Sequence, residues 1–341
     1  MRVVAAATAL LLLPAAAWAQ NRVERKIEGS DKPVVAYTSN GGGAQPGLIL
    51  ALHGTGGSGP QFAGGFPIQQ ICSAGYVIVF PTSIQGAWGT QQTGGTPEGR
   101  EKDETYIRAI VDSFVKEFNV HPDKIHFIGY SAGSMFSARV ITSNALDGYR
   151  IRSFCGHSGG YTSKGRARED RAKETSVWVL NGSRDTAHAE YSKNMHDMFK
   201  DAGYDAKYQV IDGAGHSFPL VPFPEILKWW QGLDKGAPDY TKIAGALKRG
   251  NDALERRQFG AAHKAFDEAK KAAEAKSDRM TKEADEGLAK VAAEAQRLLA
   301  EARAAKEKDP EQAKRILKDM IKAFAKTPHA DAAQKELDSM K

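Results

Sequence analysis

The sequence predicts a mostly parallel α/β sheet with helices on both faces, followed by a smaller all-α region. From Val34 to about Trp230, short apolar runs alternate with helix-like stretches, the pattern of strands buried on both sides. After about Gly236 the chain becomes rich in Ala, Lys and Glu and poor in Gly, with apolar residues at helical intervals. A single serine, Ser131, stands between Gly129 and Gly133, where an apolar run meets a helical pattern. The chain of 341 residues is long enough for one sizeable core and a second, smaller unit.

The first residues, MRVVAAATALLLLPAAAWAQ, have a charged start at Arg2, an apolar stretch from Val3 to Leu13 and a small-x-small site at Ala17-Trp18-Ala19. They read as a secretory signal peptide over 1–19, with Gln20 as the first mature residue and a periplasmic or extracellular destination. The apolar stretch falls short of the roughly 20 residues a membrane span needs, and Pro14 interrupts it, so no transmembrane anchor is expected.

The catalytic-type region is expected over 20–235. Its strands are read at 34–37, 48–52, 76–80, 124–128, 151–155, 176–180 and 207–211, the earliest being antiparallel around the Gly-rich SNGGGAQPG turn. Helices are read at Glu104–Phe118, Ser134–Asn144 and Ala189–Ala202. The boundary falls in GLDKGAPDYTK, leaving 236–341 as the helical tail. There Leu288, Val291, Ala295, Leu298 and Ala302 form one stripe, and Ala313, Ile316, Leu317, Met320, Ile321 and Phe324 another. Gly250, Ala253, Phe259, Ala262, Phe266 and Ala269 have a small-and-aromatic spacing that resembles a tetratricopeptide helix pair. Two readings stand for this tail: an appendage packed on itself, or a module that binds a protein partner.

Charge excludes little but bounds the partners. Lys and Arg total 47 against 41 Asp and Glu, a net +6 with no long basic block, so no nucleic-acid partner is expected. Cys72 and Cys155 could form one disulfide or serve as small buried apolar residues.

The chemistry is read from IHFIGYSAGSMF. Glycines lacking Cβ atoms let the strand and the helix pass closely, and Ser131 at the bend points its hydroxyl away from the sheet. A serine needs a base and an orienting acid. NGSRD follows the run SVWVL and supplies Asp185; DGAGHSF follows KYQVI and supplies His216. The order serine, acid, histidine, each after a later strand, suits a parallel sheet. His157, His188 and His196 are read as surface or pocket residues outside this relay. The Gly-rich LHGTGGSG after another strand could turn amides inward, so the oxyanion donors are expected at Thr55 and Ala132, with Gly56 the alternate. A phosphate-binding loop would need Gly-Lys-Ser/Thr at its end, which is absent.

With LILALHGTGG, VIVFPTSIQGAWG, the stretch from Asp103 to Val140, VLNGSRD and GAGH in view, the chain resembles the α/β-hydrolases. More narrowly, it is similar to secreted esterases grouped with polyhydroxybutyrate depolymerases, feruloyl esterases and acetylxylan esterases. The resemblance covers about residues 45–233. It implies Ser131, Asp185 and His216 as triad, Thr55 and Ala132 as oxyanion donors, and Trp88 lining the acyl or alcohol pocket; His53, Tyr130 and His157 are further candidate pocket residues. Thr55 stands where that group often has cysteine. No cofactor or metal is implied. The expected activity is a secreted serine carboxylesterase acting on short-chain, acetyl or feruloyl-type esters, on polysaccharide or free, or on polyhydroxyalkanoate-like polyesters. A serine peptidase of the same fold, or a scaffold whose tail mediates protein interaction, are the competing readings.

Overall fold

The structure, a computed structural model, describes residues 20–39, 45–89, 96–218 and 220–340. The expected signal peptide and most of the Gly-rich turn lie outside the described residues. The chain divides into two compact units. The first takes in residues 1–120, 124–145 and 151–233; the second is 234–341 with two short pieces, 121–123 and 146–150. Among the described residues no helix is long and apolar enough to cross a membrane.

The first unit is built on one sheet. Its strands are β1 (Gln20–Arg25), β2 (Val34–Ser39), β3 (Gly47–Leu52), β4 (Tyr76–Phe80), β5 (Ile125–Tyr130), β6 (Ile151–His157), β7 (Ser176–Gly182) and β8 (Asp205–Ile211), in spatial order β1-β2-β4-β3-β5-β6-β7-β8. The pairs β1/β2 and β2/β4 are antiparallel, and every later pair is parallel. The sheet does start antiparallel, but not around the Gly-rich turn as expected: β2 pairs with β4, β3 lies beyond β4 and is parallel to it, and β1 is an additional edge strand. QNRVER has one apolar residue, Val23, and an edge strand with a single partner gives no buried run for a pattern to detect.

Helices α1 (Gly59–Ala63), α2 (Ile68–Ser73), α3 (Pro97–Glu117), α4 (Ala132–Thr142), α5 (Thr186–Asp201) and α6 (Phe223–Asp234) complete the unit. Alternate residues of the buried strands face opposite ways. Ile49, Ala51, Ile128, Cys155, Trp178 and Leu180 pack on one face against Ala63, Ile71, Ile226 and Trp230 from α1, α2 and α6. Their neighbours point the other way, as Phe154 does to meet Phe199 of α5. Fully buried central strands covered on both faces are the expected parallel arrangement. Helix α3 begins earlier than its apolar periodicity suggests, because Thr96 caps it by accepting from the Gly99 amide and Pro97 pre-sets the first turn. Cys72 and Cys155 are both free and buried, which settles their alternatives in favour of apolar packing.

The second unit contains α7 (Thr241–Glu255), α8 (Phe259–Ala273), α9 (Asp278–Ala305), α10 (Pro310–Ala323) and α11 (Pro328–Asp338). Each packs on the next in sequence. Phe266 is the centre: a Cβ added at Gly250 or Gly287 would lie within 2.6 or 2.5 Å of its ring, so only glycine lets α7 and α9 approach it. Phe259, Ala262, Phe266 and Ala269 share one core with Val291, Ala295, Leu317, Met320 and Phe324. Asp309 starts α10 by accepting from the Gln312 amide, and Thr327 precedes Pro328 of α11, at the breaks the prolines mark.

Candidate active site

Ser131 occupies the turn between β5 and α4 with φ 52° and ψ −118°. A non-glycine residue at positive φ is disfavoured, and the surroundings impose it. A Cβ on Gly133 would lie 2.1 Å from the Leu52 carbonyl oxygen, and one on Gly129 would lie 2.5 Å from the Gly133 carbonyl oxygen. Strand and helix therefore press together across both glycines, and the Ser131 amide is fixed by donating to the His157 carbonyl at 2.9 Å.

His216 follows β8 and Asp185 follows β7, so the topology brings both to the C-terminal edge of the sheet beside Ser131. The Ser131 hydroxyl Oγ and His216 Nε2 are 3.1 Å apart, and His216 Nδ1 and Asp185 Oδ2 are 2.7 Å apart. A carboxylate only accepts, so Nδ1 carries the imidazole proton and Nε2 presents its lone pair to the serine hydroxyl. Tyr130, next to the serine, donates its hydroxyl to the His216 carbonyl at 2.8 Å and stands half-buried beside the histidine ring. Burial of the Asp185 carboxyl pushes its pKa up. Hydrogen bonds from His216 and His188 outweigh this and hold it below the ordinary range. The three side chains can relay a proton from a hydroxyl to an imidazole whose cationic form has a carboxylate behind it.

The strand order and the antiparallel-then-parallel pairing identify the architecture. The fold is the α/β-hydrolase fold. Residues 65–222 match the model of the dienelactone hydrolase family. The chain is 31% identical over 98 residues to an acetylxylan esterase from Coprinopsis cinerea, covering 27% of this chain and 26% of that protein. It is 25% identical over 96 residues to feruloyl esterase B from Neurospora crassa, covering 27% and 33%. It thus spans only about a quarter to a third of the length of these relatives. Among solved structures it is similar to an acetyl xylan esterase from Aspergillus awamori, with TM-score 0.48, 17% identity and coverage of 63% of this chain and 99% of that one.

Within this α/β-hydrolase the other expected site residues fall into distinct places. Ala132 is the first residue of α4, so its amide has no acceptor within the helix. Thr55 lies exposed in the turn after β3. Gly56 is not available as an alternate donor, because its amide is held by the Gly86 carbonyl at 3.1 Å. His53 and Trp88 do not line an open pocket. His53 is buried, its Nδ1 donating to the Gly54 carbonyl at 2.6 Å and its Nε2 accepting from the Ser83 amide at 3.1 Å. Trp88 is fully buried, its Nε1 donating to the His53 carbonyl at 2.8 Å and its ring stacked on Phe136 at 5.2 Å. They brace the Gly-rich loop from beneath. His157 is also fully buried, with neither ring nitrogen hydrogen-bonded, and burial together with the charge of His216 pushes its pKa down to about 4.

Two functional-looking residues escape a reading of motifs. Asp103 is buried and accepts from the Gly89 amide at 2.7 Å and the Ile84 amide at 3.4 Å, pinning the segment that carries Trp88. His188 touches Asp185 directly, Nδ1 to Oδ1 at 2.8 Å, and its ring stacks on His216 with centroids 4.1 Å apart at 25°. Asp185, His188 and His216 also have the donor types of a metal site, their ligand atoms all within 4.8 Å. In a near-parallel stack, however, the two Nδ1 atoms point alongside each other, each at its own carboxylate oxygen. That geometry suits two hydrogen-bond donors better than converging metal ligands.

Proposed function

We propose that this chain is a serine carboxylesterase. The observation that carries the reading is the continuous chain Ser131 Oγ, His216 Nε2, His216 Nδ1, Asp185 Oδ2, with links of 3.1 and 2.7 Å. His216 takes the Ser131 proton as Oγ attacks an ester carbonyl, and the resulting imidazolium is stabilised by Asp185. The negative charge on the carbonyl oxygen is met by the Ala132 amide and, from the loop after β3, the Thr55 amide. Collapse expels the alcohol, which receives the proton from His216 and leaves an acyl-serine. Water then attacks by the same relay, releasing the acid and restoring the hydroxyl. No cofactor enters any of these steps.

The acetylxylan and feruloyl esterase relatives support short acyl or hydroxycinnamoyl esters, borne on polysaccharide or small, as the substrate class. Polyhydroxyalkanoate-like polyesters are a further candidate substrate. The proposed location is outside the cytoplasm, from the amino-terminal 1–19. We assign the chemistry to 20–235 and treat 236–341 as a helical region of its own. Its apolar stripes pack into one core, which favours the self-packed reading over a partner-binding tetratricopeptide-like module.

The test is hydrolysis of p-nitrophenyl acetate, p-nitrophenyl butyrate and methyl ferulate by wild type and Ser131→Ala. Turnover by wild type alone supports the reading, and the preferred ester narrows the substrate. Absence of ester turnover by wild type, with cleavage of a peptide amide instead, would favour the peptidase.

A further inference from the structure

We infer that His188 is a positioning residue for the relay: by donating to Asp185 Oδ1 it holds the carboxylate so that Oδ2 stays aimed at His216. This inference rests on the serine-hydrolase reading of Ser131 and His216.

The argument begins with where Asp185 sits. It is the residue immediately before α5, the place where an aspartate ordinarily turns its carboxylate back to accept the first free amides of the helix. Here it makes no such bond. One turn on, His188 donates its backbone amide to the Asp185 carbonyl at 3.3 Å and its ring Nδ1–H to the Asp185 carboxylate at 2.8 Å. A side chain three residues into a helix reaching back to the capping residue is the geometry of a capping box. In this case the returned bond goes to the side chain rather than the backbone, and it turns the carboxylate away from its own helix.

Both carboxylate oxygens are consequently committed, Oδ1 to His188 and Oδ2 to His216. A carboxylate with only one donor can rotate about its Cβ–Cγ bond, and each rotation exchanges the oxygen presented to His216. With two imidazoles in a stack 4.1 Å apart, rotation breaks both bonds together. The Asp185 side chain is 3% exposed, so little water is available to replace them. The second imidazole also covers one face of the His216 ring and limits its tilt. His188 touches Asp185 and His216, and its action on the reaction runs through them.

Two substitutions separate the hydrogen bond from the ring. His188→Asn keeps an N–H donor near the position of Nδ1 without an aromatic ring. His188→Phe keeps a ring to stack on His216 without a donor. Both are compared with wild type and Ser131→Ala on p-nitrophenyl acetate, with thermal melts in parallel. The expected result is a kcat for His188→Phe roughly 10- to 100-fold below wild type with KM within about two-fold, the loss associated with a hydrogen bond to a charged group. His188→Asn is expected within about three-fold of wild type, because its donor preserves that bond. A His188→Phe enzyme as fast as His188→Asn overturns the inference, as does a loss in both variants or a change carried in KM. If Ser131→Ala is as active as wild type, the underlying reading fails and this one with it. An inactive Ser131→Ala beside a fully active His188→Phe overturns the positioning role alone.

Discussion

Replacing His157 by phenylalanine is expected to make the first unit less sensitive to acid. The histidine is fully buried at the end of β6, its ring 5.8 Å from Tyr130 and 5.9 Å from Phe218, and its pKa is pushed down to about 4. In the unfolded chain it returns to about 6.5. Between those values the unfolded state binds a proton that the folded state refuses, so stability falls as pH drops from about 6.5 towards 4 and levels off below. A fall from about 6.5 to about 4 corresponds to about 3 kcal/mol, most of it lost by pH 4.5. Phenylalanine keeps the ring contacts and removes both buried, unpartnered nitrogens, so stability at pH 7.5 should be unchanged or higher. The assay is urea unfolding at pH 7.5 and 4.5 followed by tryptophan fluorescence. Trp88, Trp178, Trp229 and Trp230 all belong to the first unit, so the signal reports that unit. The variant should gain about 2–3 kcal/mol on wild type between the two pH values. Parallel pH profiles for the two proteins would refute the reasoning.

Three further outcomes are expected. Asp185→Asn should lower kcat by roughly three to four orders of magnitude with the fold intact, because an amide facing His216 favours the wrong tautomer; retained activity in a steady-state assay would count against the relay. Gly133→Ala should cost about 3 kcal/mol or more, or prevent folding, since its Cβ would meet the Leu52 carbonyl at 2.1 Å, and a thermal melt equal to wild type would contradict that packing. Cys72 and Cys155 should resist thiol reagents in the native protein, burial pushing the Cys72 thiol up to about 11 and that of Cys155 higher still, and both should react in urea without reductant. Fewer than two reactive thiols in urea would mean that a disulfide forms.

The central strands were legible because near-continuous apolar runs have few other uses, and Ser131, Asp185 and His216 because each follows such a run in a fixed order. The structure brings those three within hydrogen-bond reach. What pattern could not reveal was which polar groups the backbone had already engaged. His53 and Trp88 resemble pocket residues by type and place, yet their ring nitrogens bind backbone groups beneath the loop. Gly56 looks like an oxyanion donor until its amide is seen on Gly86. His188 left one signal, an aspartate and a histidine three apart at the start of a helix, but that spacing is informative only once the helix start is known to fall at Thr186.

The close approach at Gly129 and Gly133 has a consequence for how such a protein can change. The Ser131 amide is held by the His157 carbonyl and Gly133, two residues on, abuts the Leu52 carbonyl of β3, so the orientation of the serine is a property of the interior rather than of the loops that would meet a substrate. Thr55 and His216, by contrast, lie exposed on surface turns. On the proposed mechanism the serine is held by the interior, while the base His216 and one oxyanion donor, Thr55, are carried on turns. If that mechanism holds, a library built to alter substrate choice should leave 129–133, Thr55 and His216 untouched and draw its variation from other surface turns.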